Sequence, residues 1–207
     1  MQYKTVKQKA FGEFIEKRSR FIGYICPVNT IEETNAFITE VKQKHYDAKH
    51  NAFAYILREG GVKRYSDDGE PQGTAGIPIL DVLIKSGVTD VCVVAVRYFG
   101  GILLGGGGLV RAYSHTAKIA LDAGRIITRT LCDELKIRID YTFFGKLSAL
   151  ISENGGIVDN TEFGDGVTLY FHLPGEFSGG LNKKILDLTK GKYVPQKTGE
   201  NYVEYQI

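Results

Sequence analysis

The residue types and spacings that allow chemistry fall in three segments, all within the first 111 positions of the 207-residue chain. The richest begins with Arg97, Tyr98 and Phe99 at the end of an apolar run. Six glycines in nine residues follow, among them Gly100, Gly101, Gly105, Gly107 and Gly108, and then Arg111. Glycine adopts backbone conformations closed to other residues and lets a ligand come close. The free N–H groups at a helix start favour an anion, and an arginine fork suits bidentate contact with phosphate. On that reading Arg97 and Arg111 flank an anion site; tight packing of a strand-to-helix turn is the plainer alternative. The segment lacks both the Gly-Lys-Ser/Thr ending of a Walker A loop and the downstream acid of a dinucleotide fingerprint. Neither nucleotide hydrolysis nor a bound cofactor is therefore expected.

The second segment is the polar stretch 64–76, with Arg64, Asp67, Asp68 and Glu70 before Pro71 and Gly73. Three acids within four residues are close enough to ligate a hard cation, although the alternating acids and terminal glutamate of an EF-hand are missing. Turn formation by Asp and Gly accounts for much of the same pattern. The third segment is Asp47-Ala48-Lys49-His50, where a nearby carboxylate would orient His50 and raise its pKa. A structural, hydrogen-bonded histidine is the alternative. His45, His115 and His172 have no comparable setting.

Other stretches must position these residues. The first thirty residues read as two strands turning near Gly12 and near residues 17–20. Thr30 to Glu33 is a capping box, with the Thr30 hydroxyl accepting from a free helix-start N–H and Glu33 reaching back to the cap's own N–H. Ile31, Phe37, Ile38 and Val41 then mark a helix face running to about Lys44. Residues 51–58 read as a strand, 64–76 as a loop, and 77–86 as a helix closed by Gly87. Residues 91–98 form a continuous β-branched run, as in a strand buried on both faces. Residues 109–123 are a helix with Val110, Tyr113, Ala117 and Ala120 inward, ended by Gly124. From residue 132 the order strand, helix, strand, strand, helix, strand is the ferredoxin-like βαββαβ plan. The chain is therefore expected to be α+β, with domains 1–131 and 132–207.

Bulk properties narrow the partners. The apolar fraction of 43% can build a real core. No stretch approaches the roughly 20 apolar residues of a membrane helix, and the lysine-rich first ten residues lack the apolar core of a signal peptide. Cys26, Cys92 and Cys132 form neither a ligand pair nor a disulfide framework, so a reduced, cytoplasmic setting without membrane contact is expected. Cys92 reads as a small buried thiol. The net charge of +2 divides unevenly. Residues 1–131 carry 18 Lys and Arg against 13 Asp and Glu, a net +5, and residues 132–207 carry 8 against 11, a net −3. A mildly basic half fits a polyanion without being a strong nucleic-acid footprint.

DAKH at 47–50, SDDGEPQGTAG at 66–76 and RYFGGILLGGGGLVRAYS at 97–114 resemble, in order and spacing, the signature segments of the YigZ/Impact family. The resemblance is strongest over about residues 15–125. It implies an N-terminal domain with the fold of the second domain of ribosomal protein S-five, as in domain four of elongation factor G. The C-terminal unit is similar to that factor's domain five. Eukaryotic members act in translational control, through a partner engaged by an RWD domain that these residues do not contain. Only the general connection to translation carries over.

Two functions follow as expectations. In the first, the chain binds structured RNA or the ribosome. Arg97, Arg111 and the glycine backbone meet phosphates, Tyr98 stacks on a base or ribose, and Arg20, Lys63 and Arg64 add screened contacts. A translation-factor-like protein partner is a further expectation. In the second, the chain is a metal-assisted hydrolase or phosphotransferase, in which a divalent ion reconciles Asp47, Asp67, Asp68 and Glu70 with a substrate phosphate; pairing of these acids with Arg97 and Arg111 to hold the loops is the alternative.

Overall fold

Three strands, not two, open the chain: β1 (Gln2–Val6), β2 (Ala10–Glu16) and β3 (Ser19–Pro27). The computed structural model describes residues 1–205. The turn near residue 17 is present, with Lys17 and Arg18 both at positive φ. Gly12, expected in a turn, pairs with Gly23 inside the β2–β3 ladder. β1 is hard to read because its sequence, QYKTV, is mostly polar.

Helix α1 (Ile31–Lys44) starts as the capping box requires, with the Glu33 N–H donating to the Thr30 hydroxyl at 3.1 Å. The return arm differs: the Glu33 carboxylate accepts from the Asn29 N–H at 2.6 Å, one residue before the cap. Ile31 is exposed, and Thr34 joins Phe37, Ile38 and Val41 on the buried face. Strand β4 (His50–Ile56) is followed by β5 (Lys63–Ser66), which occupies the start of the expected loop. Helix α2 (Gly76–Ser86) ends at Gly87 in the left-handed conformation. Strand β6 (Val91–Tyr98) is buried throughout except at Tyr98. Helix α3 (Gly106–Gly124) begins three residues earlier than expected, so Gly106, Gly107 and Gly108 form its first turn; Val110 points outward.

These strands form an antiparallel sheet in the order β2-β3-β6-β4-β5. Helices α2 and α3 cover one face, packing on Phe21, Ile25, Ala52, Ala54, Val93 and Ala95. Helix α1 covers the other, packing on Ile22, Tyr24, Tyr55, Val94 and Val96. Strand alternation therefore sends Arg97 to the α2/α3 face and Tyr98 to the α1 face. Neighbours in sequence, they cannot serve one site.

The chain divides into two units, Tyr3–Thr128 and the residues from Arg129 on together with Met1–Gln2. The division falls inside strand β7 (Ile126–Ile139), close to the expected boundary near Leu131. In the second unit β7 is followed by α4 (Tyr141–Glu153), β8 (Ile157–Phe163), β9 (Val167–Pro174), α5 (Gly175–Thr189) and β10 (Gln196–Glu204). The four βαββαβ strands lie antiparallel in the order β10-β7-β9-β8, and β1 also joins β7. Leu147 and Ile151 of α4 and Leu181 and Ile185 of α5 pack on Leu135, Ile137, Leu169 and Phe171 of the sheet. This is the α+β architecture expected. Among the described residues no helix is long and apolar enough to cross a membrane.

Candidate functional site

A cleft of about 370 Å³ opens on the α2/α3 face of the first unit, where β6 ends. Arg97 lies in its floor, directly opposite Phe21 on β3 and His50 on β4. The arginine is 5% exposed, and Nη1 donates to Glu70 Oε1 at 2.7 Å. The Tyr113 hydroxyl, from the buried face of α3, donates to the same oxygen at 2.7 Å. Burial first, and then the Glu70 carboxylate, push the Tyr113 phenol far above its ordinary pKa, so it remains a donor. The guanidinium lies 5.5 Å from the ring centroids of both Phe21 and Phe99. Nε has no acceptor among the described residues.

His50 Nδ1 lies 2.9 Å from the Asp68 main-chain oxygen. A carbonyl only accepts, so Nδ1 carries the proton and a neutral ring keeps Nε2 as an acceptor. The orienting group is thus a carbonyl and not the Asp47 carboxylate. Lys49, Gly69, Pro71, Leu103, Gly105 and Gly106 complete the walls. Gly105, with φ 74°, turns the chain into α3, which brings the first turn of that helix to the cleft. Gly100 has a packing role. A Cβ there would lie 2.0 Å from the Arg18 carbonyl carbon, and its N–H donates to the Ser19 hydroxyl.

The three acids of the 64–76 segment point to different partners. Asp67 accepts from the main-chain N–H groups of Gly73, Ala75 and Gly76 at 2.8–3.0 Å. Burial pushes its carboxyl upward, but these three donors outweigh that and hold it below the ordinary value. Asp68 accepts from the Asn51 N–H at 2.6 Å and from Lys42 at 2.8 Å. Glu70 alone reaches the cleft. Among the described residues no three His, Cys, Asp or Glu side chains converge as for a metal ion, which corrects the expectation of a clustered cation site. Cys92 is buried and its thiol is raised well above the ordinary value by burial, in keeping with a packing role.

On the opposite face, Tyr98 donates to Asp47 Oδ1 at 2.8 Å and lies 2.9 Å from His45 Nδ1. His45 Nε2 lies 2.8 Å from the Tyr24 hydroxyl. Since the Tyr98 proton goes to Asp47, its oxygen accepts from His45 Nδ1–H, and His45 Nε2 accepts from Tyr24. Tyr98 is therefore tied into a network and not presented for stacking. His45 is its centre, a role illegible from local pattern because its partners are 21 and 53 positions away.

Arg111 also lies apart from Arg97. It lines a neighbouring depression of about 340 Å³ with Phe14, Lys17, Gly108 and His115, and only Leu104 belongs to both hollows. Its guanidinium runs back along the helix, so that a Cβ on Gly107 would lie 3.7 Å from Nη1. Gly101, with φ 83°, turns the loop between β6 and α3, and a Cβ there would meet nothing within 4 Å. Arg64 is exposed on β5 and donates to the Lys63 carbonyl.

A mixed sheet-and-helix unit carrying a glycine-lined cleft, followed by a ferredoxin-like unit, defines a two-domain class that the comparisons identify. The Impact N-terminal domain matches residues 17–121, and a domain of unknown function, DUF1949, matches residues 137–192. The chain belongs to the Impact family. It is 35% identical over 206 residues to the IMPACT family member YvyE of Bacillus subtilis, covering 99% of this chain and 95% of that one. It is also 35% identical to the IMPACT family member YigZ of Escherichia coli, covering 84% and 87%. The Protein IMPACT of Rattus norvegicus is 31% identical over 94 residues, covering 44% and 30%. A solved structure described as that of an hypothetical protein superposes with a TM-score of 0.61 at 31% identity, covering 97% of this chain and 98% of that one.

Proposed function

We propose that the first unit binds RNA, free or in the ribosome, through cations around the cleft. The observation that carries this is a set of basic side chains, Lys17, Arg18, Lys49 and Arg111, with no carboxylate partner among the described residues. Lys9, Arg20 and Lys42 instead pair with Glu40, Glu13 and Asp68. Lys17 and Arg111 line one hollow together with Glu16, Lys49 lines the neighbouring cleft, and the Arg18 backbone packs on Gly100 between β6 and α3. Phosphate neutralisation by such groups gives affinity that falls with salt. The family's link to translation supports RNA over other polyanions, although fold alone does not establish function. A translation-factor-like protein partner would meet the same face, where Phe99 and Leu103 are exposed.

Anisotropy of a labelled oligoribonucleotide across a salt series tests the proposal, with co-sedimentation on separated ribosomal subunits beside it. Each phosphate contact contributes about −0.7 to the log–log slope on a single strand, so a Lys17→Ala, Arg111→Ala variant is expected to flatten it by about 1.4. A slope unchanged in the variant overturns the assignment.

One observation favours an enzyme as a second reading: His50 and Glu70 line one cleft, and His50 Nε2 has no partner among the described residues. Turnover of a phosphorylated metabolite that is lost in His50→Gln would establish it. The divergent partners of Asp67, Asp68 and Glu70 remove the support for its metal-assisted form.

A further inference from the structure

We infer that the cleft is a seat for a phosphate monoester, the terminal phosphate of a nucleotide or of an RNA end. This rests on the RNA reading above but assigns a different task to a different set of residues. The cations around the cleft meet backbone phosphates, whereas the floor recognises one terminal group.

Three features of the floor support this. Arg97 uses only Nη1, on Glu70. Nε and Nη2 have no acceptor among the described residues, although the side chain is 6% exposed. A buried donor without a partner costs free energy, and the Nε/Nη2 edge is the side of the fork that takes two oxygens of one oxyanion. The second feature is the start of α3, a helix of 19 residues. The N–H groups of its first turn have no partners within the helix, and that turn carries three glycines, so no Cβ stands between the backbone and a ligand. The third feature is Glu70. Its Oε1 is held by two donors, while Oε2 has no donor among the described residues. A bare oxyanion would be repelled there. A phosphate monoester, whose second pKa is about 6, can carry a proton to give to Oε2. A phosphodiester has none. That difference selects a chain end over a chain interior. The exposed Phe99 and Leu103 at the mouth offer an apolar surface to a flat base, and the volume of about 370 Å³ exceeds that of a phosphate group alone.

The experiment uses the full chain and a short single-stranded oligouridylate, labelled at its 3′ end, with either a 5′-phosphate or a 5′-hydroxyl. Free UMP and inorganic phosphate are titrated by calorimetry beside it. The expected result is roughly tenfold tighter binding of the phosphorylated oligonucleotide. The preference should be lost in Gly106→Leu but kept in Arg111→Ala, which weakens both oligonucleotides alike. Gly106 is the safer probe, because a Cβ there meets nothing within 4 Å and a larger side chain obstructs the cleft without disturbing the core. Equal binding of the two oligonucleotides, with no UMP binding, overturns the phosphate seat and leaves the RNA proposal standing. UMP binding lost in Gly106→Leu, with neither oligonucleotide bound, keeps the seat for a free nucleotide and overturns the RNA proposal. No binding of any of these probes overturns both.

Discussion

The triad of Arg97, Glu70 and Tyr113 shows why single residues here resist assignment from their types alone. Arginine and glutamate in adjoining segments suggested either a surface for phosphate and metal or an ion pair holding the loops, and Arg97 and Glu70 do pair, at 2.7 Å in a buried setting. Their positions, 27 apart, meet only because the 67–75 loop folds over the end of β6. Removing one partner of a buried ion pair leaves an uncompensated charge, at a cost of about 3–5 kcal/mol. Glu70→Ala is expected to lower stability by that amount, and Tyr113→Phe by about 1 kcal/mol, in urea denaturation followed by circular dichroism. A loss below about 1 kcal/mol for Glu70→Ala would mean that the pair is solvated. His45 makes a second residue-scale case. Burial first, then Lys44, lower its pKa from the ordinary 6.5, so the folded state prefers the neutral ring. The unfolded state then binds more protons below 6.5, and stability is lost as pH falls from that value through the folded pKa. The urea midpoint should decline over that window, and His45→Gln should remove that part of the decline.

Whole elements were more legible than side-chain partners. Apolar periodicity and caps placed α1 and α2, and an unbroken β-branched run placed β6, because these signals are local. Two things hid in the same sequence. The β6 run is apolar on both faces, which masked the alternation that separates Arg97 from Tyr98. The glycines at 106–108, poor helix formers, concealed the first turn of α3, which tertiary packing sets. The 67–75 loop is an element organised by one carboxylate. With its folded pKa held below 3.8, Asp67 contributes stability that is present above the unfolded value and lost as pH falls through the folded one. The protection of the Gly73, Ala75 and Gly76 amides, taken relative to the intrinsic exchange rate at each pH, should therefore hold at about pH 5 and fall below about pH 3.8. Asp67→Asn should remove it throughout. Gly100 fixes the neighbouring loop by contact: a methyl group cannot sit 2.0 Å from the Arg18 carbonyl carbon. Gly100→Ala should cost about 1–3 kcal/mol in the thermal midpoint.

At the scale of the molecule, charge and core divide along the same line. The basic surplus belongs to the first 131 residues and the acidic surplus to the rest. The buried residues form two clusters on the two faces of the first sheet and a separate one under β7, β8 and β9. The second unit's plan was legible in its order of strand, helix, strand, strand, helix, strand, whereas the fold of the first came from the resemblance of its signature segments. The division between the units lies inside an unbroken strand, β7, with no Pro- or Ser-rich linker to mark it. If the first unit alone carries the RNA contacts, damage to the second core should change stability without changing the electrostatics of binding. Phe171 is 1% exposed in that second core. Phe171→Ala should cost about 3–5 kcal/mol by cavity formation, read as faster amide exchange across β7 and β9. At a temperature where the variant stays folded, the salt slope for the oligoribonucleotide should match that of the wild type. A slope reduced by about 0.7 or more would place at least one phosphate contact on the second unit, and the cations of the first could then no longer account for binding by themselves.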